Sequence, residues 1–140
     1  MRYLLDTCVI SELVSKRPET AVIDWIDSID DDHIYLSVLT IGEIKKGIEK
    51  LPDSAPKEQL AEWLEEDLLS RFQGRVLGVE TAVMLTWGTL TAKLEQQGTP
   101  LPAVDSLIAA IALHGNLTLV TRNVQDFERT GILLLNPWRM

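Results

Sequence analysis

Sulfur chemistry is nearly absent from this chain. One cysteine, Cys8, stands alone, so no intrachain disulfide is possible. A reducing cytoplasm is the compartment such a chain is expected to occupy. Histidine is scarce as well: His33 and His114 are the only two, and with a single cysteine they supply no ligand set for zinc. No apolar run approaches the roughly 18 residues of a membrane span. The longest, LIAAIAL from Leu107 to Leu113, has the length of a core helix face, so no membrane partner is expected. The N-terminal apolar stretch is interrupted by Asp6 and leads to no small-residue cleavage site, so no signal peptide is expected. Positive charge is also in short supply, with 13 Lys and Arg against 21 Asp and Glu, a net charge of −8. That balance opposes phosphate binding. The objection weakens if several acids share one pocket where divalent cations cancel them.

The chain has no repeats, low-complexity tracts or long linkers, and its 140 residues predict one domain over 1–140. A chain of that length buries roughly two thirds of its unfolded surface and needs no staple. YLL (Tyr3 to Leu5) reads as a buried strand running into a helical CVISELV. RPET predicts a helix start with Pro18 near its beginning, and AVIDWIDSI has helical periodicity. HIYLS is a second strand. VLTIGEIKKGIEKL is a helix whose apolar stripe is Ile41, Ile44, Ile48 and Leu51. A loop, LPDSAPKE, leads to an amphipathic helix, QLAEWLEEDLLSRF, ended by Gly74. RVLGV is a weak strand, and a long helix from Glu80 closes at Gly98. LPAVDSLIAAIALHG, bounded by Pro102 and Gly115, is apolar nearly all round and belongs at the centre. LTLVT is a strand, NVQDF a helical turn and ILLL a last strand. Alternating strands and helices predict a three-layer α/β/α fold with a mostly parallel central sheet. Sites in such sheets form outside the carboxyl ends of the strands.

Several acids sit where that rule points. Asp6 directly follows the first strand, although an N-cap alone would account for it. Glu43 lies one helical turn beyond the second strand, where TIGE also matches a capping box between Thr40 and Glu43. Asp105 opens the most apolar helix, with no lysine or arginine within a turn, so a buried carboxylate there lacks a partner. Asn123 and Asp126 follow the strand LTLVT, where a capped turn would serve equally. Each residue has an ordinary structural explanation, but a parallel sheet brings all of them toward one edge. Carboxylates about 4 Å apart repel by about 4 kcal/mol at an effective dielectric of 20, which raises a pKa or recruits a cation. Oxygen-only ligands favour Mg²⁺ or Mn²⁺.

The motifs LDTCVISEL, SVLTIGEIKKGI, AVDSLIAAIA and LTLVTRNVQDF, in that order, resemble the PIN-domain ribonucleases, most closely the VapC-type toxins of bacterial toxin–antitoxin pairs. RVLGVE and the terminal NPW resemble one branch of that family. The resemblance covers nearly the whole chain. It implies a PIN-like fold, a Mg²⁺- or Mn²⁺-dependent endoribonuclease, an RNA substrate, a homodimer and a cognate antitoxin that blocks the site. By position it implies metal ligation by Asp6, Glu43 and Asp105, with Asp126 as the nearest carboxylate to the family's fourth acid. Thr7, Thr121 and Asn123 have supporting places. Two departures stand out: Cys8 occupies a position that is often asparagine, and Asn123 is neutral where some members place an acid. Cys8 reads as a small core residue.

Lys46 and Lys50 share a helix face with Glu43 and, with Arg122, are the candidate RNA contacts. Trp25, Trp63 and Trp87 read as core or interface, and the helices around Trp63 and Trp87 are candidates for an apolar groove that takes a helical antitoxin. Two other readings compete. A receiver-type phosphotransfer domain fits the length but not the lone first-strand aspartate. A catalytically weak PIN-like module that binds RNA or a partner without cutting is kept open by Asn123.

Overall fold

The computed structural model describes residues 1–140. In chain order the elements are β1 (Tyr3–Leu5), α1 (Thr7–Leu13), α2 (Thr20–Ser28), β2 (Ile34–Ser37), α3 (Val38–Glu49), α4 (Ala55–Glu62), α5 (Leu69–Arg71), β3 (Val76–Leu77), α6 (Thr81–Gln96), α7 (Ala103–His114), β4 (Thr118–Val120), α8 (Val124–Phe127) and β5 (Leu134–Leu135). The five strands are all parallel, in the order β3-β2-β1-β4-β5. The first strand of the chain is therefore the central one. Tyr3 pairs with Ile34 on one side and Thr118 on the other, and Leu5 with Val120.

Strand alternation sorts the core into two layers. Leu5, Ile34, Leu36 and Val120 face one side, where α1, α2, α3 and the α4–α5 segment cover them with Val9, Ile26, Ile48, Leu64, Leu68 and Phe72. Leu4 and Leu119 face the other side, under Val83, Leu90 and Leu94 of α6 and Ile108, Ala109 and Ile111 of α7. The small residues of α7 let it lie flat on the sheet beneath α6, as its all-round apolar sequence predicts. Gly98, with φ +74°, closes α6, and Thr99 N–H donates back to Leu94 O at 2.9 Å.

The expected element order holds, with local differences. Pro18 precedes α2 rather than opening it, and Glu19 is the capping position. The loop read as LPDSAPKE ends early, because Ser54 caps a helix that already contains Pro56. Residues Trp63–Leu68 widen into a π-helical segment between α4 and α5. Leu51 lies past the end of α3 and is exposed, so it drops out of the predicted stripe. Two predicted strands shrink to two residues each: Gly78 follows β3 at once, and Leu133 is 65% exposed before β5.

Candidate active site

The carboxyl ends of β1, β2 and β4 converge, and the predicted acids gather around them. Asp6 leaves β1 and caps α1, its Oδ1 accepting from Thr7 N–H at 2.9 Å. Its Oδ2 accepts from Thr121 Oγ1 at 2.8 Å. The Leu5–Val120 register explains this, since each residue is the next one along its strand. Capping and site-building are thus both true of Asp6. Its side chain is buried, at 7% exposure. Burial pushes its carboxyl above the ordinary value; the Thr121 and Thr7 bonds pull back, and the charge of Glu43 adds to the rise. Oδ1 accepts only from Thr7 and keeps a free lone pair, so Asp6 can still ligate a cation.

Glu43 is not part of a capping box. The helix starts earlier than TIGE suggests: Ser37 is the cap, its Oγ accepting from Thr40 N–H at 3.2 Å. That places Glu43 in the second turn, free of the helix end. Its Oε1 accepts instead from Thr7 Oγ1 at 2.5 Å. Thr7 Oγ1 also lies 3.1 Å from the buried Thr40 Oγ1. Thr7 therefore joins both acids: its N–H holds Asp6 and its hydroxyl holds Glu43.

Asp105 occupies the first turn of α7 and takes no hydrogen-bond partner. It is half-buried, and burial raises its carboxyl most, followed by the charges of Asp6, Glu43 and Asp126. Trp87 Nε1 donates to Ser106 Oγ at 2.9 Å and Ser106 Oγ donates to Ala103 O at 2.7 Å, fixing the turn that carries Asp105. Asp105 and Asp126 line one cleft of about 330 Å³, with Arg129 at its rim. Asp126 is exposed in the first turn of α8. The side chain of Asn123 does not cap that turn; its N–H donates to Thr121 Oγ1 at 3.0 Å. The Thr121 hydroxyl thus accepts from Asn123 and donates to Asp6, which ties the β4–α8 turn to β1.

Cys8 is more than filler. It is half-buried, and its Sγ lies 3.9 Å from Asp6 Oδ2 and 3.8 Å from Thr121 Oγ1. Burial pushes the thiol up, so it stays protonated beside the acid.

None of the four acids is ion-paired. The three salt bridges of the molecule are Lys45–Glu49, Lys57–Asp53 and Arg71–Asp31. Unpaired carboxylates with oxygen donors alone, two of them raised by burial and by their neighbours' charge, fit a hard divalent cation. No three of them form a ready-made chelate.

Of the predicted basic residues, Lys46 and Lys50 line a cleft of about 510 Å³ with Glu43, floored by Val38, Leu39 and Val104. The Arg122 guanidinium lies 5.5 Å from the centroid of the Trp138 ring. Two further arginines escaped the sequence reading. Arg129 sits one helical turn after Asp126, a spacing that would have revealed it. Arg139 is brought to Asp126 and Arg122 by the returning C-terminal tail, for which no local signal exists. Trp25 is buried edge-on to Tyr3, at 5.1 Å between ring centroids. Trp63 and Trp87 pack on opposite faces of the sheet, so no single groove joins them.

Comparison with known proteins follows the same lines. The family model described as PIN domain matches residues 3–133. The chain is 38% identical to "Plasmid stability protein StbB" of Pseudomonas syringae pv. tomato and 34% identical to "Toxin FitB" of Neisseria gonorrhoeae, each over 96% of this chain and 97% of the relative. It is 33% identical to "VapC ribonuclease Y4jK" of Sinorhizobium fredii, over 96% of both. The crystal structure of FitAcB from Neisseria gonorrhoeae superposes with a TM-score of 0.94 at 33% identity, covering 99% of each chain.

Proposed function

The chain belongs to the PIN-domain family, and we propose that it is the ribonuclease toxin of a bacterial toxin–antitoxin pair, cutting RNA phosphodiester bonds with the help of Mg²⁺ or Mn²⁺. The observation that carries this reading is the set of four acids, Asp6, Glu43, Asp105 and Asp126, which have no lysine or arginine partner and whose charges help push the carboxyls of Asp6 and Asp105 up. Relatives named toxin and VapC ribonuclease, matched over nearly their whole length, support it.

Asp6 and Asp105 would hold the ion, with Glu43 ligating or orienting beside them. A divalent ion there supplies a water of lowered pKa and offsets charge on the phosphate. The chain's own residues do the rest. Thr7 and Thr121 fix the carboxylate planes of Glu43 and Asp6. Asp126 stands at the open side of the cleft, where it can accept a proton from the attacking water. Lys46, Lys50 and Arg122 bind the flanking phosphates, so the local rim is basic although the molecule is acidic. An antitoxin segment lying along the Val38–Leu39–Val104 floor would cover Glu43 and both lysines at once. Leu85, 70% exposed, and Leu113 share a cleft on the α6–α7 side, an apolar surface suited to a homodimer.

The test is cleavage of mixed RNA by purified protein in Mg²⁺, in Mn²⁺ and in EDTA, alongside folded Asp6→Asn and Asp105→Asn variants. Metal-dependent cutting by wild type alone is expected. RNA binding without cutting under any of these conditions would favour a non-cleaving binding module.

A further inference from the structure

A second, smaller cleft opens beside Asp126, on the side away from Asp105. It is about 230 Å³ and is lined by Arg122, Asn123, Gln125, Asp126, Asn136 and Arg139, with Val124 its one apolar residue. The C-terminal turn is held against the β4–α8 turn in a defined way. Asn136 Oδ1 accepts from Trp138 N–H at 2.9 Å, and Asn136 Nδ2 reaches Arg122 O at 3.5 Å. Arg122 lies on the Trp138 ring. Asn136 and Arg122 are thus held in place before any ligand arrives.

The functional groups lining this cleft have bonding capacity to spare. The side chain of Asn123 caps nothing. Gln125, Arg122 and Arg139 enter none of the three salt bridges. The cleft therefore offers two amides, each both donor and acceptor, and two guanidiniums that only donate. A phosphate only accepts, so it would use the guanidiniums and the amide N–H groups and leave the amide oxygens idle. A nucleobase edge uses both kinds. Arginine pairs with guanine O6 and N7, and asparagine or glutamine with adenine N6 and N7. Such edges are accessible when the nucleotide is unpaired.

We propose that this cleft is a subsite for one unpaired purine of the RNA, adjacent to the scissile phosphate, with Gln125 and Arg139 as its specificity-determining residues. The proposal rests on the ribonuclease reading above and extends it to which nucleotide is placed at the cut.

Two fluorescent probes test it: octauridylate, and the same octamer with one central adenosine or guanosine. Binding is measured with Asp105→Asn in Mg²⁺, with the RNA checked for integrity afterwards, and again after adding Gln125→Ala or Arg139→Ala. The purine octamer should bind at least about fivefold tighter, and either added substitution should erase that preference. Equal binding of the octamers, binding of neither, or a preference that survives both substitutions overturns the subsite. Wild-type cutting of the same RNAs is scored separately. Cutting of mixed RNA decides the ribonuclease reading, while these binding data decide the subsite.

Discussion

Thr121 Oγ1 and Asp6 Oδ2 meet at 2.8 Å although 115 positions separate them in the chain. The bond crosses from β4 to β1 and is fully buried on the Thr121 side. Thr121→Val keeps the shape and removes the donor, leaving a buried carboxylate oxygen short of a partner. A loss of about 1–3 kcal/mol in stability is expected, together with reduced cleavage. Thr121→Ser should restore both. Chemical denaturation and an RNA cleavage assay on the pair of variants check this.

The site acids give the metal-free protein a pH dependence of definite sign. Asp6 and Asp105 bind protons more tightly folded than unfolded. From about pH 4, the ordinary carboxylate range, up to their raised folded values, the folded state holds more protons. Their contribution is favourable below that window and is lost as pH rises through it. Exposed pairs such as Lys45–Glu49 pull the other way, so the quantity to read is the difference between wild type and Asp105→Asn. The melting temperature of Asp105→Asn should gain on wild type as pH rises in EDTA. A constant difference across pH would refute it.

Added Mg²⁺ should reverse that ranking. An ion that binds the deprotonated acids stabilises the folded state by mass action. Wild type should rise in melting temperature with Mg²⁺ near neutral pH, and Asp105→Asn should respond far less. Calorimetric titration with Mg²⁺ gives the same comparison without RNA.

Lys46 and Lys50 should act on affinity rather than chemistry. Removing each phosphate contact on single-stranded RNA lowers the slope of log K against log salt by about 0.7. The Lys46→Ala, Lys50→Ala double variant should therefore raise KM, leave kcat nearly unchanged and flatten the salt dependence. A fall in kcat with KM unaltered would place them in the reaction instead.

Stability can be probed far from the acids at Phe72. It is fully buried at the amino end of β3, with Arg75 5.2 Å from its ring centroid. Phe72→Ala is expected to cost about 3–5 kcal/mol. The remaining folded protein should bind Mg²⁺ as wild type does, as measured by titration below the melting temperature.

Periodicity alone located most elements, because helices such as α6 and α7 carry both an apolar pattern and terminal Pro or Gly. It misjudged lengths at β3 and β5, where Gly78 and the exposed Leu133 end pairing that composition would have allowed. Asp6 was legible because the acid stands directly after an apolar strand. Glu43 was ambiguous: TIGE satisfies the local rule for a cap, and only the earlier cap at Ser37 shows that the rule is not used. The contact of Cys8 with Thr121 and the approach of Arg139 to Arg122 depend on how distant segments meet. Neither distance is encoded in a window of neighbouring residues.

The central position of β1 also has a consequence for synthesis. Residues 3–5 are synthesised long before residues 118–120, with which they pair on one side. Asp6 therefore has no Thr121, and Asp105 no completed sheet beneath its helix, until β4 and β5 have been translated. A nascent chain that stops short of β4 carries Asp6, Glu43 and Asp105 but not their arrangement, so RNA cutting waits on the synthesis of residues 118–121.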